Sequence, residues 1–333
     1  MRTRLTDLLG IDYPIISAPM TRMSGSALAG EISAAGGLGT FGGASVASRV
    51  SPRYVQEQIA AIRARTDRPF GVGFITHNLP AAEANFAMAL EAGVPVILFS
   101  FADPSPWLSS AKAAGATTVC QVQTMEDAEQ AVGAGTDVLA VQGHEAGGHT
   151  GRANLLPFLV QALEAFPSVP VVAAGGITNG RTLAAVLAAG ADGAWMGTAF
   201  IASNELTEVP DGHKQAVVAS DGRDTVYSTV YDVMNQRAFG DIPFVGDMAL
   251  RAKRNDFLSE WHGREAELVQ RVEAFIPGYV SAWQVADTDL IPLMYGEGAH
   301  AVKAIRPASQ IMRDICLEAE QILRDRVSGL LER

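Results

Sequence analysis

The chain has 333 residues, of which 48% are hydrophobic and only 18% charged. This composition is typical of a packed α/β protein and argues against disorder. The formal net charge of −11 disfavours nucleic acid and anionic membranes as partners, because both carry negative charge. We find no signal peptide and no apolar run long enough to span a membrane. Cys120 and Cys316 do not suggest a disulfide, so we expect a cytoplasmic protein.

Eight short apolar runs of strand length follow one another in the first part of the chain. They are rich in Val, Ile, Leu and Phe on both faces, which is typical of parallel strands buried on both sides. The predicted strands are Pro14–Pro19, Leu38–Phe41, Phe70–Ile75, Val94–Ser100, Thr117–Val122, Val138–Gln142, Val169–Ala174 and Gly193–Met196.

Longer stretches of helical character separate these strands. Ser26 is a plausible cap, Pro52 suits a first helical position, and several stretches end in Ala-Gly, a natural helix stop. This alternation predicts a closed (β/α)8 TIM barrel, with a doubly wound open sheet as the alternative. The predicted helices are Ser26–Ala35, Pro52–Arg65, Pro80–Ala92, Ser105–Ala114, Met125–Ala134, Leu155–Ala165 and Arg181–Ala189.

The alternation of strands and helices stops near Ile201. We therefore interpret residues 1–204 as the barrel and residues 205–304 as a mostly helical addition over its mouth. Residues 305–333 form a C-terminal segment whose helix, from Pro307 to about Arg326, we expect to pack back on the barrel. Its apolar residues recur at helical spacing: Ile311, Ile315, Ala319 and Ile322.

Glycines stand where the seventh and eighth predicted strands end. In this fold the ligand site lies at the carboxyl ends of the strands, and the loops after the last two commonly hold a phosphate. Glycine lets a phosphate approach the backbone, whose N–H groups act as donors. Gly175-Gly176 or Gly197-Thr198 alone could be a tight turn, but together they predict a phosphate-bearing ligand.

The stretch after the sixth strand, residues 142–151, contains two histidines in a glycine-rich setting. We take His149 as the candidate for proton transfer, because imidazole titrates near neutral pH, and His144 as structural. The histidines are five apart, not four, and Gly147-Gly148 would break a helix, so this is not a zinc-protease motif and we predict no metal site. The glycines of residues 37–42 run into a strand, which excludes a dinucleotide fingerprint.

Together these segments resemble the nitronate monooxygenase family, formerly called 2-nitropropane dioxygenases. The resemblance runs from about residue 5 to residue 205, and more faintly to the C-terminus. It rests on PIISAPM at 14–20, AGGLG at 35–39, QGHEAGGH at 142–149, AAGGI at 173–177 and MGTAF at 196–200.

This resemblance implies non-covalently bound FMN and oxidation of a small-molecule nitronate or nitroalkane with O2 to a carbonyl compound and nitrite. The residue matching His149 is the proposed catalytic base, and the last two glycine segments hold the FMN phosphate. The full set of expected cofactor contacts is Ala18, Pro19, Met20, Gly73, Gln121, Gln142, Gly147, Gly148, Gly175, Gly176, Met196, Gly197 and Thr198.

Some residues depart from the family pattern. Many members carry Asn where this chain has Gly73, Phe99–Pro104 matches only in part, and Glu205–Trp261 has no secure match. An NAD(P)H-dependent flavin reductase acting on a quinone or an enoyl thioester therefore stays open. So do a flavin- or phosphate-binding protein without turnover and a flavin-free phosphosugar isomerase. The oligomeric state is not fixed, although a homodimer is compatible with such a barrel.

Overall fold

A closed ring of eight parallel strands forms the centre of the molecule, as the sequence predicts. The computed structural model describes residues 1–21, 23–44, 50–241, 244, 246–326 and 329–330. The barrel strands are β1 (Ile15–Ser17), β2 (Gly39–Gly42), β3 (Phe70–Ile75), β4 (Val96–Ser100), β5 (Thr117–Val122), β6 (Val138–Gln142), β8 (Val171–Ala174) and β9 (Gly193–Met196), while β7 (Gly148–Thr150) lies outside the ring.

The ring closes between the first two strands. The order β1-β9-β8-β6-β5-β4-β3-β2 runs once around the barrel, and a parallel bridge pairs Ile16 with Leu38. The Leu38 N–H donates to the Ile15 carbonyl at 2.9 Å, and the Ser17 N–H donates to the Leu38 carbonyl at 3.0 Å. This closure excludes the open-sheet alternative.

Eight helices surround the ring in the part of the chain that the structure describes. Seven of them lie between successive barrel strands: α2 (Ser26–Ala34), α3 (Pro52–Arg65), α4 (Glu83–Glu91), α5 (Ser105–Ala113), α6 (Met125–Gly133), α7 (Leu155–Ala165) and α8 (Gly180–Ala188). The eighth, α15 (Ala308–Gln321), packs between α8 and α2. The helix predicted from Pro80 begins only at Glu83, because Pro80 lies in a 3-10 helix, Thr76–Ala81.

The barrel is filled by side chains and closed at its amino-terminal end. The interior positions carry aliphatic residues and Trp195, all buried, in keeping with a packed core rather than a pore. Helix α1 (Arg4–Leu9) crosses that end and buries Leu5 and Leu9 against the same cluster. The open end is therefore the one where the strands finish, and the site lies there.

The addition of residues 205–304 covers this open end and is less uniformly helical than the sequence suggests. After the short α9 (Thr198–Ile201) it contains α10 (Asp211–Ala219), β10 (Thr225–Ser228), α11 (Val230–Phe239), β11 (Ala249–Lys253), α12 (Asp256–Trp261), α13 (Glu265–Arg271) and α14 (Ile276–Val285). The strands β10, β11 and β7 form an antiparallel sheet in which His149 pairs with Leu250. The sequence predicts a loop at β7, because its strand partner lies a hundred residues further along the chain.

None of the helices in the described part of the chain is long and apolar enough to span a membrane. Cys120 is buried between barrel and helices, outside the cavity described below, and burial raises its pKa to about 12. It is a core residue, as expected, because a thiol with so high a pKa is not reactive near neutral pH.

We predict that Gly39→Ala destabilises the barrel by about 2 kcal/mol, in the range of overpacked cores. A Cβ at Gly39 would lie 1.7 Å from the Ala29 carbonyl oxygen, so β2 and α2 would have to separate. Urea denaturation measures the free energy of unfolding. Gly133→Ala in α6 is the control, since a Cβ there meets nothing within 4 Å. Equal stability of the two variants would contradict this packing.

Candidate active site

One cavity of about 340 Å³ opens at the carboxyl ends of the barrel strands, a size that suits a small organic ligand. Loops from six different strands and the addition above them form its walls. Every site residue predicted from the sequence lines it: Ala18, Pro19, Met20, Gly73, Gln121, Gln142, Gly147, Gly148, His149, Gly175, Gly176, Met196, Gly197 and Thr198.

A backbone cradle lies after β8 and β9. Gly175 and Gly176 adopt φ of +106° and +67°, a left-handed conformation that side chains disfavour. Among the described residues, no hydrogen bond engages the N–H groups of Gly175, Gly176 or Gly197. The Thr198 hydroxyl oxygen accepts from the Gly296 N–H at 2.9 Å, which leaves its hydrogen available to an anion. The cradle thus offers several donors to one ligand group.

The opposite wall explains why residue 73 is glycine. A Cβ at Gly73 would lie 2.3 Å from Cγ of Pro19, so the Pro19 ring already fills the space that a side chain would need. An Asn at position 73, as in many members of the family that the sequence resembles, would require the segment after β1 to move. The wall is therefore complete without an Asn side chain, because the Pro19 ring fills the space beside Gly73.

Gln142 connects the sixth barrel strand to residues 143–151, which we call the histidine segment. Its Nε2 donates to the backbone carbonyl of His149 at 3.1 Å, and its Oε1 accepts from Gln123 at 2.9 Å. Both amide ends are occupied within the protein. Gln142 lines the cavity and at the same time holds the backbone of β7 in place.

His149 lies at the cavity wall between the barrel and the addition. Its Nε2 is 2.5 Å from Oδ1 of Asp232 on α11, and its ring stacks on Phe244 with centroids 3.6 Å apart and 15° between the planes. The two side chains of the pair are only 16% and 22% exposed. Nδ1 of His149 takes part in no hydrogen bond with any described residue, so it is available as a proton acceptor.

The neighbouring histidines differ from His149. His144 lies outside the cavity lining, where Nδ1 is 2.9 Å from the Gly151 carbonyl and the ring packs on Tyr227, in keeping with a structural role. His77 meets the same phenyl ring as His149, that of Phe244, edge to face. Burial, with a smaller effect from His149, lowers the pKa of His77 to about 4, so it is uncharged at neutral pH.

Residues 291–298, which we call the mouth segment, cross the cavity from the addition. The Glu297 N–H donates to the Glu145 carbonyl at 3.0 Å, and the Tyr295 hydroxyl donates to Asp224 at 2.6 Å. Arg251 supports the histidine segment from β11, because its buried guanidinium donates to the His144 carbonyl and pairs with Glu297 at 3.0 Å. The histidine segment is thus enclosed by the addition on two sides.

Several groups in or beside the cavity were not identified from the sequence. Phe244 and Tyr295 line it, and Asp232 contacts His149 from behind the lining. All three come from the addition, where no motif singles them out. Asp232 is 83 positions from His149 in the chain, so only the tertiary fold joins the pair. The predicted role of His149 as a base is the one signal that could have prompted a search for a carboxylate, because a carboxylate often hydrogen-bonds to the second nitrogen of such a ring.

Comparison with known proteins assigns the chain to a family. A family model described as nitronate monooxygenase matches residues 2–318. The chain belongs to the nitronate monooxygenase family. It is therefore an oxidoreductase of a family that is flavin-dependent in general. This confirms the resemblance drawn from the glycine and histidine segments, and it argues against a flavin-free isomerase.

Three proteins that are similar to this chain carry different names. It is 35% identical over 240 residues to the (3aS,4S,5R,7aS)-5-hydroxy-7a-methyl-1-oxo-octahydro-1H-indene-4-carboxyl-CoA dehydrogenase of Rhodococcus jostii, a match that covers 71% of this chain and 65% of that protein. The structure of FabK from Thermotoga maritima superposes with a TM-score of 0.85 at 30% identity, covering 99% of both chains. That of nitroalkane oxidase from Streptomyces ansochromogenes has a TM-score of 0.79 at 29% identity, covering 98% of this chain and 99% of the other.

We predict that the protein loses stability as the pH falls from about 6.5 to about 4. Burial lowers the pKa of His213, which is 3% exposed and donates to the Met294 carbonyl, to about 4. In the unfolded chain a histidine titrates near 6.5, so in this window the unfolded state binds a proton that the folded state does not. His77 acts in the same direction. From about pH 7 to about pH 5 the loss for His213 is about 2 kcal/mol.

His213→Gln tests this, because glutamine keeps an N–H donor for Met294 but does not titrate. Urea denaturation at the two pH values should show a smaller acid-induced loss in this variant than in the parent protein. His300→Gln, at an exposed position, is the control and should behave as the parent does. An unchanged pH dependence in His213→Gln would contradict the assignment.

Proposed function

We propose that this protein binds FMN and oxidises alkyl nitronates and nitroalkanes with O2, with His149 as the catalytic base. The observation that carries the proposal is the His149 side chain, held by Asp232 at the wall of the cavity, with no described residue hydrogen-bonded to its second ring nitrogen. An imidazole of this kind can take the α-proton of a neutral nitroalkane or orient an anionic nitronate.

The residues at the cavity suit FMN. The N–H groups of Gly175, Gly176 and Gly197 and the Thr198 hydroxyl would hold the phosphate, since backbone donors of this kind favour anions. The segment Ala18–Met20 and the side chains of Gln121 and Gln142 would lie against the ring system. When bound, FMN supplies the redox chemistry, taking electrons from the substrate and passing them to O2.

The protein's own part is to place the substrate and handle one proton. His149 faces the cavity, and the proton removed from the substrate carbon would pass to its unbonded nitrogen. Phe244, Trp283 and Met294 cover this space with apolar surface. Such a cover keeps water away and strengthens the electrostatic interactions beneath it.

A second candidate is an NAD(P)H-dependent reductase or a dehydrogenase acting on an acyl thioester. The similarity to a protein named as a carboxyl-CoA dehydrogenase favours it, although that match leaves about a third of the other protein uncovered. A proton donor at the position of His149 would serve such a reaction equally well. The two candidates therefore share the site and differ in the substrate.

The visible spectrum of the purified protein under anaerobic conditions separates the two. We expect an alkyl nitronate alone to reduce the bound flavin, and admission of O2 to restore the oxidised spectrum. Turnover of a neutral nitroalkane should fall by a factor of about 10² to 10⁴ in His149→Ala, with flavin content retained, because the general base is lost. A spectrum that nitronate leaves unchanged, but that NAD(P)H bleaches, would transfer the assignment to the reductase.

The phosphate cradle has its own test. Thr198→Val keeps the shape of the side chain but removes its hydroxyl, so we expect FMN affinity to fall about tenfold, the effect of about 1.4 kcal/mol. Thr198→Ser retains the hydroxyl and is the control. Titration of flavin fluorescence against apoprotein gives the dissociation constant. Equal affinities in the two variants would show that Thr198 does not hold the phosphate.

A further inference from the structure

We propose that Asp232 is the positioning residue of His149, and that it makes Nδ1 the atom that accepts the substrate proton. This inference rests on the proposed function only where it assigns His149 as the base. It adds a residue from the addition to a site otherwise built on the barrel. It also specifies which of the two ring nitrogens reacts.

The pairing itself decides the tautomer. Oδ1 of Asp232 lies 2.5 Å from Nε2 of His149, and an ionised carboxylate can only accept a hydrogen bond. Nε2 must therefore carry a hydrogen, and in the neutral ring this leaves the lone pair on Nδ1. The reacting atom is thus chosen by a residue that does not itself contact the substrate.

The carboxylate suits this role electrostatically. Asp232 lies in the first turn of α11, where the helix dipole favours a negative charge. Its second oxygen, Oδ2, is buried and has no hydrogen-bond partner among the described residues. Among the described residues the His149 ring is therefore the one side chain that hydrogen-bonds to this carboxylate.

The contacts of His149 also fix the orientation of its ring. The backbone of His149 pairs with Leu250 of β11, and the His149 carbonyl accepts a hydrogen bond from Gln142. Phe244 covers one face of the ring. Together with the bond to Asp232 these contacts leave little freedom about the side-chain torsions, and a preoriented base is more effective than a mobile one.

The other ionisable groups nearby do not replace Asp232. His77, which packs edge to face on Phe244, has a pKa lowered to about 4 by burial and is neutral near pH 7. Arg251, adjacent to Leu250, directs its guanidinium to the His144 carbonyl and Glu297. Asp241 and Glu208 line the same cavity, and Asp232 alone bonds to the ring among the described residues.

The proton transfer balances without further reactants. The α-carbon of a neutral nitroalkane loses its C–H proton to Nδ1, and the electron pair of that bond stays on the substrate as the nitronate. His149 becomes an imidazolium that keeps its Nε2–H bond to Asp232. The carboxylate of Asp232 stabilises this cation by its opposite charge.

The first test does not depend on turnover. NMR of the flavin-loaded protein with ¹⁵N-labelled histidine reports the tautomer of His149, with His149→Ala identifying its signals. We expect hydrogen on Nε2 in the parent protein, and a mixture of the two tautomers in Asp232→Asn, because an amide can donate to the ring as well as accept from it. Asp247→Asn, on the exposed side of the addition, is the control and should keep the Nε2–H tautomer. The Nδ1–H tautomer in the parent protein, or an unchanged tautomer in Asp232→Asn, would overturn the proposal.

The second test compares kcat/KM on two substrates. With a neutral nitroalkane, kcat/KM of Asp232→Asn should fall about 10- to 100-fold. With the preformed nitronate the loss should be smaller, because no proton is removed. Added to His149→Ala, Asp232→Asn should cost nothing more, since it acts through His149. Equal losses on the two substrates, or a further loss in the double variant, would indicate a merely structural role.

The outcomes of the two tests are independent of each other. If neither substrate reacts, the proposed function is wrong, and the NMR result still decides whether Asp232 sets the tautomer of His149. Flavin content and thermal unfolding of each variant confirm that it is folded. Asp232→Ser is the second variant, which also removes the carboxylate but is smaller, and it should also weaken the preference for the Nε2–H tautomer.

Discussion

A contact between two stretches of backbone joins the addition to the barrel. A Cβ at Gly147 would lie 2.4 Å from the carbonyl carbon of Tyr295, and one at Gly296 would lie 2.5 Å from the carbonyl oxygen of Glu145. Only glycine allows so close an approach without displacing the mouth segment. The hydrogen bonds from Gly296 to Thr198 and from Glu297 to Glu145 form only at this separation. The roof of the cavity, and with it the surroundings of His149, depend on this contact.

The barrel and its cradle could be predicted from the sequence because their signals are local. Each barrel strand is a short apolar run, and several of the helices between them end in an Ala-Gly stop signal. Once the strands are parallel and closed into a ring, their carboxyl ends meet at one end of the barrel by geometry alone. Segments as far apart as Ala18, Gln142 and Gly197 therefore converge on one cavity without any sequence signal of their proximity.

The remaining part of the site could not be predicted because it arises from long-range pairing. Gly148 adopts φ of +75° and has no intrinsic preference for a strand, yet β7 forms because β11 supplies its partner. The same pairing brings α11 over the mouth and Asp232 to His149. The addition also lacks the regular spacing of the barrel, so helices were expected where two strands occur. A resemblance limited mainly to the barrel gave no information on these residues.

The molecule thus divides its chemistry between backbone and side chains. The barrel offers the glycine N–H groups that we propose as the phosphate site. The addition offers Phe244 and Trp283 to the wall of the cavity and Asp232 to the ring of His149. Proteins named for unlike reactions share this fold, since function depends on the individual groups of a site rather than on the fold that carries them. The substrate of this protein is accordingly to be sought in the residues of the addition rather than in the glycines.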